Sequence, residues 1–280
     1  MKHCNNAKEG FVLIVVLWII FFLSVSVLTL SVKNRMNIRL NSFNNEALRV
    51  LYLAKEGMNR VIVMLAEDDS AYDAFSDAWA QKFTLETDAG VAVCEVIDED
   101  RFLNVNTATP EMLANLKAIF PQITEEEIES LAKAKPFNVT KEILDATGMD
   151  PQLFYGDAQN AKPGINDVFT VFSDGKLNIN TASRDVLMLI PGMTDAAAQS
   201  IADHRNSAPF EKNETLSQEI SLLGLTASQV SSLVKICKVD SSAFRVVSRA
   251  DSRRKAVSRT IETVLKRKDK VFSVLFAKEN

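Results

Sequence analysis

The side chains that most enzymes use for nucleophilic or metal chemistry are few and scattered in this chain of 280 residues. Its two histidines, His3 and His204, and its three cysteines, Cys4, Cys94 and Cys237, form no Cys-x-x-Cys pair and no cluster with metal-ligand spacing. The nine glycines form none of the loops that cradle phosphates. We therefore predict no enzymatic activity. Whether Cys94 and Cys237 form a disulfide is left open.

Two acidic runs remain as candidates for a chemical site: Glu67-Asp68-Asp69 and Asp98-Glu99-Asp100. Carboxylate oxygens are the ligands that calcium prefers, but neither run has the spacing of an EF-hand loop. A solvated loop is the favoured interpretation of both runs. We therefore predict no cofactor and no metal site, with calcium as the alternative.

The net charge of −4 hides a division along the chain. Residues 33–244 contain 19 basic and 31 acidic side chains, a net charge of −12, whereas residues 245–280 contain 11 basic and 4 acidic ones, a net charge of +7. An acidic body repels phosphate, so nucleic acid is not expected as a partner. The basic residues at 253–255 and 266–268 are expected in solvated turns that protect strand edges. A surface for acidic partners or lipid head groups is the alternative.

An uncharged run from Phe11 to Val32 is long enough to cross a bilayer as one helix. A cleaved secretory signal is the alternative, but its apolar core would span only about 7–15 residues and end at small residues. Beyond the run, apolar residues recur every three or four positions from Leu40 to Leu65, which indicates an amphipathic stripe. One helix over residues 11–66 would be about 84 Å long. Its first half would lie in the membrane and its second against a globular sheet.

The residues before this run place Gly10 at the junction between a short basic leader and the apolar helix, in the order Lys-Glu-Gly-Phe-Val-Leu-Ile. This arrangement resembles the signal of type IV pilins and pseudopilins, in which a prepilin peptidase cuts after the glycine. The resemblance implies a cytoplasmic leader at residues 1–10 and a mature N-terminus at Phe11, usually N-methylated. It also implies a single-pass protein of the bacterial inner membrane with a periplasmic body. A membrane anchor followed by an independent helix is the alternative.

One position departs from the pilin pattern. Most pilins carry a glutamate five residues into the mature chain, which pairs with the N-terminal amine of a neighbouring subunit, and Val15 stands at that position. A buried carboxylate in a membrane helix is costly unless it is partnered, so valine eases insertion but removes the pairing. Among pseudopilins, the K-type minor subunit lacks this glutamate, which suits a place at the tip of the fibre.

The middle of the chain contains an internal repeat. The segment LNVNTATPEML at 103–113 matches LNINTASRDVL at 177–187, and each copy continues through a proline break into another helical stretch and a Pro-Phe pair. We predict two helical hairpins of about 34 residues each, capped by polar side chains at their first turns. The residues expected to hold the hairpins are Asn104, Asn106, Thr107, Asn178, Asn180, Thr181, Pro191 and Gly192.

The second hairpin resembles the helix-hairpin-helix motif of DNA repair proteins and of membrane-anchored DNA receptors in competence systems. DNA-binding versions use a Gly-x-Gly turn whose N–H groups contact a phosphate. Here the turn reads Pro191-Gly192-Met193-Thr194, without the second glycine, and Asp195 and Asp203 lie where phosphate would approach. We therefore predict a structural role for both hairpins, with DNA contact as the alternative.

Strand-like runs flank the hairpins, at residues 91–97, 168–175, 243–247, 256–265 and 271–276. With the leader, the glutamate-free helix and the two hairpins, this order resembles the general secretion pathway protein K family, the large minor pseudopilins of type II secretion. The resemblance implies an α+β fold, in which a pilin-like α/β domain with antiparallel C-terminal strands carries an inserted helical domain. The implied divisions are the leader (1–10), the long helix (11–66, with 11–32 transmembrane), the pilin-like domain (67–101 and 241–280) and the inserted domain (102–240).

The same resemblance implies a function and a set of partners. The subunit would lie at the tip of the pseudopilus, initiate its assembly with the I- and J-type minor pseudopilins, contact the major subunit and support protein export. We expect these partners to pack against the stripe from Leu40 to Leu65. A minor pilin of a type IV pilus is a close alternative, and a membrane-anchored DNA receptor is the alternative from a different class.

Overall fold

The structure is a computed structural model that describes residues 6–68, 71–157, 159–160, 162–254, 256–268 and 270–280, with side chains from Phe11 onward. The first half of the predicted leader and Asp69 of the first acidic run therefore lie outside the described residues. The helices are α1 (Asn6–Glu67), α2 (Pro110–Ala114), α3 (Leu116–Ile119), α4 (Glu125–Ala134), α5 (Lys141–Thr147), α6 (Pro151–Tyr155), α7 (Arg184–Met188), α8 (Asp195–Ser207), α9 (Leu216–Ser221) and α10 (Ala227–Ile236). The strands are β1 (Phe83–Glu86), β2 (Gly90–Asp98), β3 (Leu103–Asn104), β4 (Phe169–Thr170), β5 (Leu177–Asn178), β6 (Cys237–Lys238), β7 (Ala243–Ser252), β8 (Ser258–Lys268) and β9 (Val271–Glu279).

Helix α1 runs without interruption for 62 residues and includes the whole apolar run. From residue 11 to residue 45 every side chain is exposed, which fits a segment that is covered by lipid or by other helices. By length and composition α1 can cross a membrane. The predicted single long helix is confirmed, and the side chains of the half that is expected in the membrane are exposed.

The second half of α1 lies across a five-stranded antiparallel sheet with the strand order β1-β2-β7-β8-β9. Its buried positions are Ala47, Val50, Leu53, Ala54, Val61 and Leu65. Gly57 leaves room for the sheet, because a Cβ at this position would lie 2.7 Å from the Cys94 sulfur. The contact between helix and sheet at this point therefore depends on a residue without a side chain.

The prediction that the stripe packs against a sheet is confirmed from Ala47 onward, but it is wrong for the first turns, and the prediction that partner subunits pack on the stripe is wrong. Leu40 and Phe43 are 54% and 50% exposed, because the sheet does not extend that far toward the membrane. From Ala47 to Leu65 the stripe is buried against this chain's own sheet. Partner subunits therefore cannot pack on it without displacing the sheet.

Between β2 and β7 the chain forms the helical domain, which is built as two repeats. The first repeat (residues 103–170) begins with β3 and ends with β4, and these two strands pair in parallel. The second repeat (residues 177–238) begins with β5 and ends with β6, paired in the same way. One hydrophobic core of buried side chains runs through both repeats. The repeated unit is thus about twice as long as the predicted hairpin, since α5–α6 and α9–α10 complete it.

The predicted α+β fold is confirmed, with several strand ends displaced. The last three strands reach Ser252, Lys268 and Glu279, so each is longer than predicted. In contrast, only Phe169 and Thr170 of the predicted strand at 168–175 are in a ladder. Cys94 and Cys237 are both buried and unpaired, so they form no disulfide with each other.

Candidate functional site

The second acidic run is buried where the sheet meets the helical domain. Asp98 ends β2, and Asp98, Glu99 and Asp100, here called the acidic turn, are 1%, 0% and 0% exposed. The prediction of a solvated loop at these residues is wrong, because the helical domain covers the turn. Three adjacent buried carboxyl groups require specific donors, since an unpaired buried charge is strongly destabilising.

Asp98 receives its donors mainly from the second repeat. Its Oδ2 accepts hydrogen bonds from Asn178 Nδ2 at 3.0 Å, from Ser241 Oγ at 2.7 Å and from the Thr181 hydroxyl. Its Oδ1 accepts from the Asp100 backbone N–H at 2.8 Å. Burial, together with the neighbouring charge of Asp100, raises the pKa of the Asp98 carboxyl to about 7.

Glu99 and Asp100 each form an ion pair with one basic side chain. Arg245 Nε donates to Glu99 Oε1 at 2.6 Å, and the Thr170 hydroxyl of the first repeat donates to Glu99 Oε2. Lys238 Nζ of the second repeat lies 2.7 Å from Asp100 Oδ2. Burial raises the pKa of the Asp100 carboxyl, and the Lys238 ammonium opposes that shift. Both repeats therefore end in a residue that donates to the acidic turn.

A second buried ion pair lies beside the acidic turn. Arg267 donates to both oxygens of the Asp73 carboxylate and, through Nη2, to the Ser241 carbonyl oxygen at 2.7 Å. Burial raises the pKa of Asp73 to about 6, although Arg267 acts in the opposite direction. The prediction of a solvated turn at 266–268 is wrong for Arg267, because strand alternation directs its side chain inward over the Phe244 ring.

The predicted asparagines hold the two repeats in the same way. Asn106 Oδ1 accepts from the Phe137 N–H at 2.8 Å, and its Nδ2 donates to the Phe137 carbonyl oxygen at 2.9 Å. Asn180 makes the same pair of bonds with Phe210, at 2.8 and 2.9 Å. The Pro-Phe pairs noted in the sequence are therefore the segments to which these asparagines bind.

The first asparagine of each motif closes a turn, and the two repeats differ in the groups to which its side-chain Nδ2 donates. Asn104 and Asn178 each accept the N–H two residues later at 2.9 Å, and their carbonyl oxygens accept the N–H of Thr107 and Thr181. Asn104 Nδ2 donates to the Ser173 carbonyl oxygen at 2.7 Å, between the two repeats. Asn178 Nδ2 instead donates to the Asp73 carbonyl oxygen, to Asp98 and to Ser241. Among the described residues, the second motif therefore hydrogen-bonds to the sheet domain and the first does not.

The second hairpin turn is also engaged internally. Gly192 has a φ of 77°, a conformation that favours glycine after Pro191, and its carbonyl oxygen accepts from Gln229 Nε2 at 3.1 Å. Helix α8 begins with the Thr194 cap, and Arg184 forms an ion pair with Asp195 beside it. An acidic residue stands at the helix N-terminus where a DNA-binding hairpin would approach a phosphate.

A carboxylate cluster that overlaps the first acidic run is a poor fit to calcium. Ligand atoms of Asp68, Asp73 and Asp77 lie within 4.8 Å of one another. However, Asp73 is held by Arg267, and Asp77 Oδ2 accepts the Ala74 N–H at 2.7 Å. In the acidic turn, Asp98 Oδ2, Glu99 Oε1 and Asp100 Oδ2 are likewise bound to hydroxyl, arginine and lysine donors, and Asp100 Oδ1 has no hydrogen-bond partner among the described residues. A cation would have to displace these partners.

The predicted processing site lies within helix α1. The Gly10–Phe11 bond is helical on both sides, and Phe11 and Val15 are 69% and 40% exposed. Nothing in the geometry tests whether this bond is cut, so the processing site remains a prediction.

Several residues of the joint between the domains were missed by sequence reasoning. Lys238 was available as a signal, since it is a charged residue between the apolar Cys237 and Val239, whereas the charged neighbours of Arg267 indicated a turn. Asp73 gave no comparable signal, because its partner is 194 residues away in the sequence. Asn178 and Thr181 were found through the repeat, but as hairpin residues and not as ligands of the acidic turn.

Comparisons with known proteins agree with this architecture. A family profile described as the helix-hairpin-helix motif matches residues 173–232, which include most of the second repeat. A search of solved structures matches a chain in the crystal structure of the GspK–GspI–GspJ complex from the type 2 secretion system of enterotoxigenic Escherichia coli. The identity is 16%, the TM-score is 0.65, and the match covers 86% of this chain and 99% of that chain. The comparison with curated proteins found no match. The resemblance to the protein K family is therefore confirmed at the level of the fold.

Proposed function

We propose that this chain is a minor pseudopilin of a type II secretion system, placed at the tip of the pseudopilus. The observation that carries the proposal is the structural match over 86% of this chain. Such coverage requires the sheet domain and the inserted helical domain together, because neither is long enough alone. The matched protein comes from a complex of three components of a type 2 secretion system.

Helix α1 supports membrane anchoring before assembly. The side chains of residues 11–45 are exposed. Residues 11–32 are long enough to cross a bilayer, and residues 33–45 connect them to the part of the helix that lies on the sheet. In the proposed arrangement the leader is cytoplasmic, prepilin peptidase cuts after Gly10 at the inner membrane, and the body is periplasmic.

Two features support the tip over the shaft. Val15 supplies no carboxylate for the amine of a neighbouring subunit, so the chain lacks a pairing that a shaft subunit uses repeatedly. The helical domain also adds two repeats to the side of the sheet, and this bulk opposes close helical stacking of many copies. In this position the subunit initiates assembly with I- and J-type minor pseudopilins above the major subunit and supports protein export. The proposal includes no enzymatic activity and no cofactor.

A membrane-anchored DNA receptor is the second candidate, because the helix-hairpin-helix profile matches residues 173–232. The paired Arg184 and Asp195, together with the engaged Gly192 carbonyl, favour a structural hairpin. The full-length protein in detergent is therefore expected to retain duplex DNA no more tightly than background, about 10⁻⁴ M. Micromolar binding that falls steeply with salt would favour the receptor.

The decisive experiment is the mature N-terminus, measured by mass spectrometry on protein purified from cells with an active prepilin peptidase. We expect N-methylated Phe11 in the wild type and an uncut precursor without secretion activity for Gly10→Val. Cells that lack the peptidase are the matched control and should give the uncut chain in both cases. A wild-type protein that still begins at Met1 would overturn the proposal.

Two further measurements test the finer parts of the proposal. The position of the subunit along the fibre distinguishes a tip subunit from a shaft subunit, and the phenotype of a gene deletion distinguishes type II secretion from a type IV pilus. An antibody to the periplasmic body should label one end of each pseudopilus, and deleting the gene should abolish secretion while leaving twitching and pilus display unchanged. Regular decoration along the fibre would exclude a tip position. Loss of pili with normal secretion would favour the type IV alternative.

A further inference from the structure

Three cations follow the membrane-length run of α1 without a carboxylate to balance them. Residues 11–45 include Lys33, Arg35 and Arg39 but no acidic residue, and every side chain in this stretch is exposed. The ion pairs that α1 makes within the described part of the chain involve basic residues farther along the helix. The three charges therefore remain available to an anion from outside the chain.

Helix geometry places these cations at the surface of the membrane. The run from Phe11 to Val32 gives about 33 Å of helix, close to the thickness of the hydrocarbon layer, about 30 Å. Arg35 lies about 4.5 Å and Arg39 about 10 Å beyond Val32, whereas the head groups occupy about 5–7 Å on each side. Helical side chains lean toward the N-terminus of their helix, which is the membrane end of α1. Both guanidinium groups can therefore reach back to the head groups.

Arg35 and Arg39 share one face of the helix. They are four residues apart, so their side chains lie one above the other, and Ser31 lies one turn nearer the membrane on the same face. Lys33 is on another side, since two residues correspond to about 200° of helical rotation. Guanidinium groups bind phosphate oxygens with paired, charge-assisted hydrogen bonds. The face thus offers two guanidinium groups and a hydroxyl donor at the depth of the lipid phosphates.

The orientation of the helix does not account for these charges. Lysine and arginine are usually in excess on the cytoplasmic side of a membrane span. In the proposed function the body is periplasmic, so Lys33, Arg35 and Arg39 are on the opposite side, and cleavage after Gly10 would remove the lysines of the leader. The cations therefore oppose the usual charge asymmetry, and a contact at the membrane surface gives them a different role.

We propose that Arg35 and Arg39 bind the phosphate of an acidic phospholipid, with Ser31 donating to the same head group and Lys33 adding a second contact with the charged surface. An acidic lipid fits better than a zwitterionic one, because three cations without a carboxylate attract a surface with net negative charge. This inference rests on the membrane anchoring in the proposed function, but it does not require the position at the tip.

The test uses the full-length chain, purified in detergent and freed of bound lipid. Native mass spectrometry measures its affinity for phosphatidylglycerol and for phosphatidylcholine with the same acyl chains. We expect the wild type to prefer phosphatidylglycerol about 10- to 100-fold, since each cation near an anionic surface contributes about 5-fold. The double variant Arg35→Gln with Arg39→Gln should keep a preference of about 5-fold or less, because only Lys33 remains.

The matched control is Arg49→Gln with Arg60→Gln, which removes two exposed arginines from the part of α1 that lies on the sheet. It should keep the wild-type preference, because these positions are about 25 Å or more beyond Val32. Glutamine is a good helix former, so both double variants should keep the thermal unfolding midpoint of the wild type. Equal preference in the wild type and in the variant of Arg35 and Arg39, or an equal loss in the control, would overturn the inference.

Two further outcomes identify other anions. Inorganic phosphate should reduce lipid binding no more than chloride does at equal ionic strength, and specific competition would indicate a site for free phosphate instead of lipid. If the variant of Arg35 and Arg39 keeps the lipid preference but loses association with the I- and J-type minor pseudopilins, the two arginines bind carboxylates of partner subunits. Either result would overturn the lipid site.

Alkaline extraction of cell membranes distinguishes this inference from the function on which it rests. If the wild-type chain stays in the membrane but shows no preference for phosphatidylglycerol, only the lipid site fails. If extraction releases the chain, the proposed membrane anchoring fails, and the lipid site fails with it.

Discussion

The first and second repeats of the helical domain use one motif for two purposes. In both, the second asparagine of the motif binds a Pro-Phe segment, so each repeat is held by the same pair of hydrogen bonds. In the first repeat the other asparagine binds Ser173, whereas in the second it binds across to the sheet domain. The repeats therefore share their internal structure but differ in how they attach to the sheet domain. The second repeat makes more of the contacts with that domain.

The attachment to the acidic turn differs in charge as well. The first repeat offers the neutral Thr170 to Glu99, and the second offers the charged Lys238 to Asp100. If the hydrogen bond from Thr170 is lost, the Glu99 carboxylate is not left unpaired, since Arg245 still donates to it. Loss of Lys238 would leave Asp100 buried without its cation. We therefore expect substitution of Lys238 to destabilise the protein more than substitution of Thr170.

The largest expected effect is at Lys238. Lys238→Met should lower the free energy of unfolding by about 3–5 kcal/mol, because it leaves a buried carboxylate uncompensated. Thr170→Val should lower it by about 1–3 kcal/mol, the range for one unmade buried hydrogen bond. Urea unfolding of the full-length protein in detergent, followed by circular dichroism, gives both values. Equal losses would show that the two repeats attach with the same strength.

The next effect compares the two turn-closing asparagines. Asn178→Ala should lower the free energy of unfolding by about 3 kcal/mol, since acceptors on Asp73, Asp98 and Ser241 lose a donor together. Asn104→Ala removes one donor and should lower it by about 1–2 kcal/mol. The same unfolding measurement applies. A larger loss for Asn104→Ala would contradict the assignment of attachment to the second repeat.

The shared part of the motif should show no such difference. Asn106→Ala and Asn180→Ala each remove the same pair of bonds to a Pro-Phe segment and should each lower the free energy of unfolding by about 2 kcal/mol. The loss should be slightly larger for Asn180→Ala, because Asn180 Nδ2 also donates to the Val239 carbonyl oxygen at 3.3 Å. Asn→Ser at the same positions is a milder control with a smaller side chain. Values that differ by more than about 1 kcal/mol would mean that the repeats are not equivalent internally.

A pH dependence is expected as well, from the buried carboxyl groups of Asp98 and Asp73. The folded-state pKa values of Asp98, about 7, and Asp73, about 6, lie above the ordinary value of 3.8. The folded state therefore holds more protons than the unfolded state between about pH 4 and 7. Stability should fall as pH rises through this window, by up to about 1.4 kcal/mol per pH unit for each proton.

Asp98→Asn tests the assignment of this slope, because it removes the group that titrates nearest pH 7. The variant should lose the slope between about pH 6 and 7, which Asp98 alone supplies, and should keep between about pH 4 and 6 only the part that Asp73 supplies. Thr170→Val, in the first repeat, should leave the slope unchanged. A slope that is unaltered in Asp98→Asn would show that this carboxyl group stays ionised in the fold.

Much of the architecture could be predicted from local patterns. The uncharged run and the apolar periodicity that follows predicted one long helix, and α1 has that length. The repeated Asn-x-Asn-Thr-Ala motif predicted two matching helical units, and α/β content followed from the strand-like runs. Residues 219–239 were predicted to be mostly helical, but that α5–α6 and α9–α10 complete the two repeats was missed. These helices share no evident sequence pattern and correspond only in the parallel pairing of β3 with β4 and of β5 with β6 that they complete.

Burial of charge was the part that local patterns could not predict. A run such as Asp98-Glu99-Asp100 has the composition of a solvated loop, and its donors come from Thr170, Asn178, Lys238 and Arg245, all distant in the chain. The same holds for Arg267, whose neighbours suggested an exposed turn. Apolar periodicity depends on the residues of one element, whereas compensation of a buried charge depends on which elements meet.

The sequence by itself therefore determined the elements of this protein: a membrane-length helix with a glycine at its junction, a helix face for a sheet, and two related hairpins. Those features follow from hydrophobicity and backbone preference, which act between near neighbours in the chain. The tertiary structure alone decided that the acidic turn is the joint between the domains and that the buried residues of the stripe from Ala47 to Leu65 pack against the chain's own sheet. Both features depend on contacts between segments that are far apart in the sequence, such as Met58 and Thr263, which are 205 residues apart, and there packing and electrostatics decide which groups lose water together.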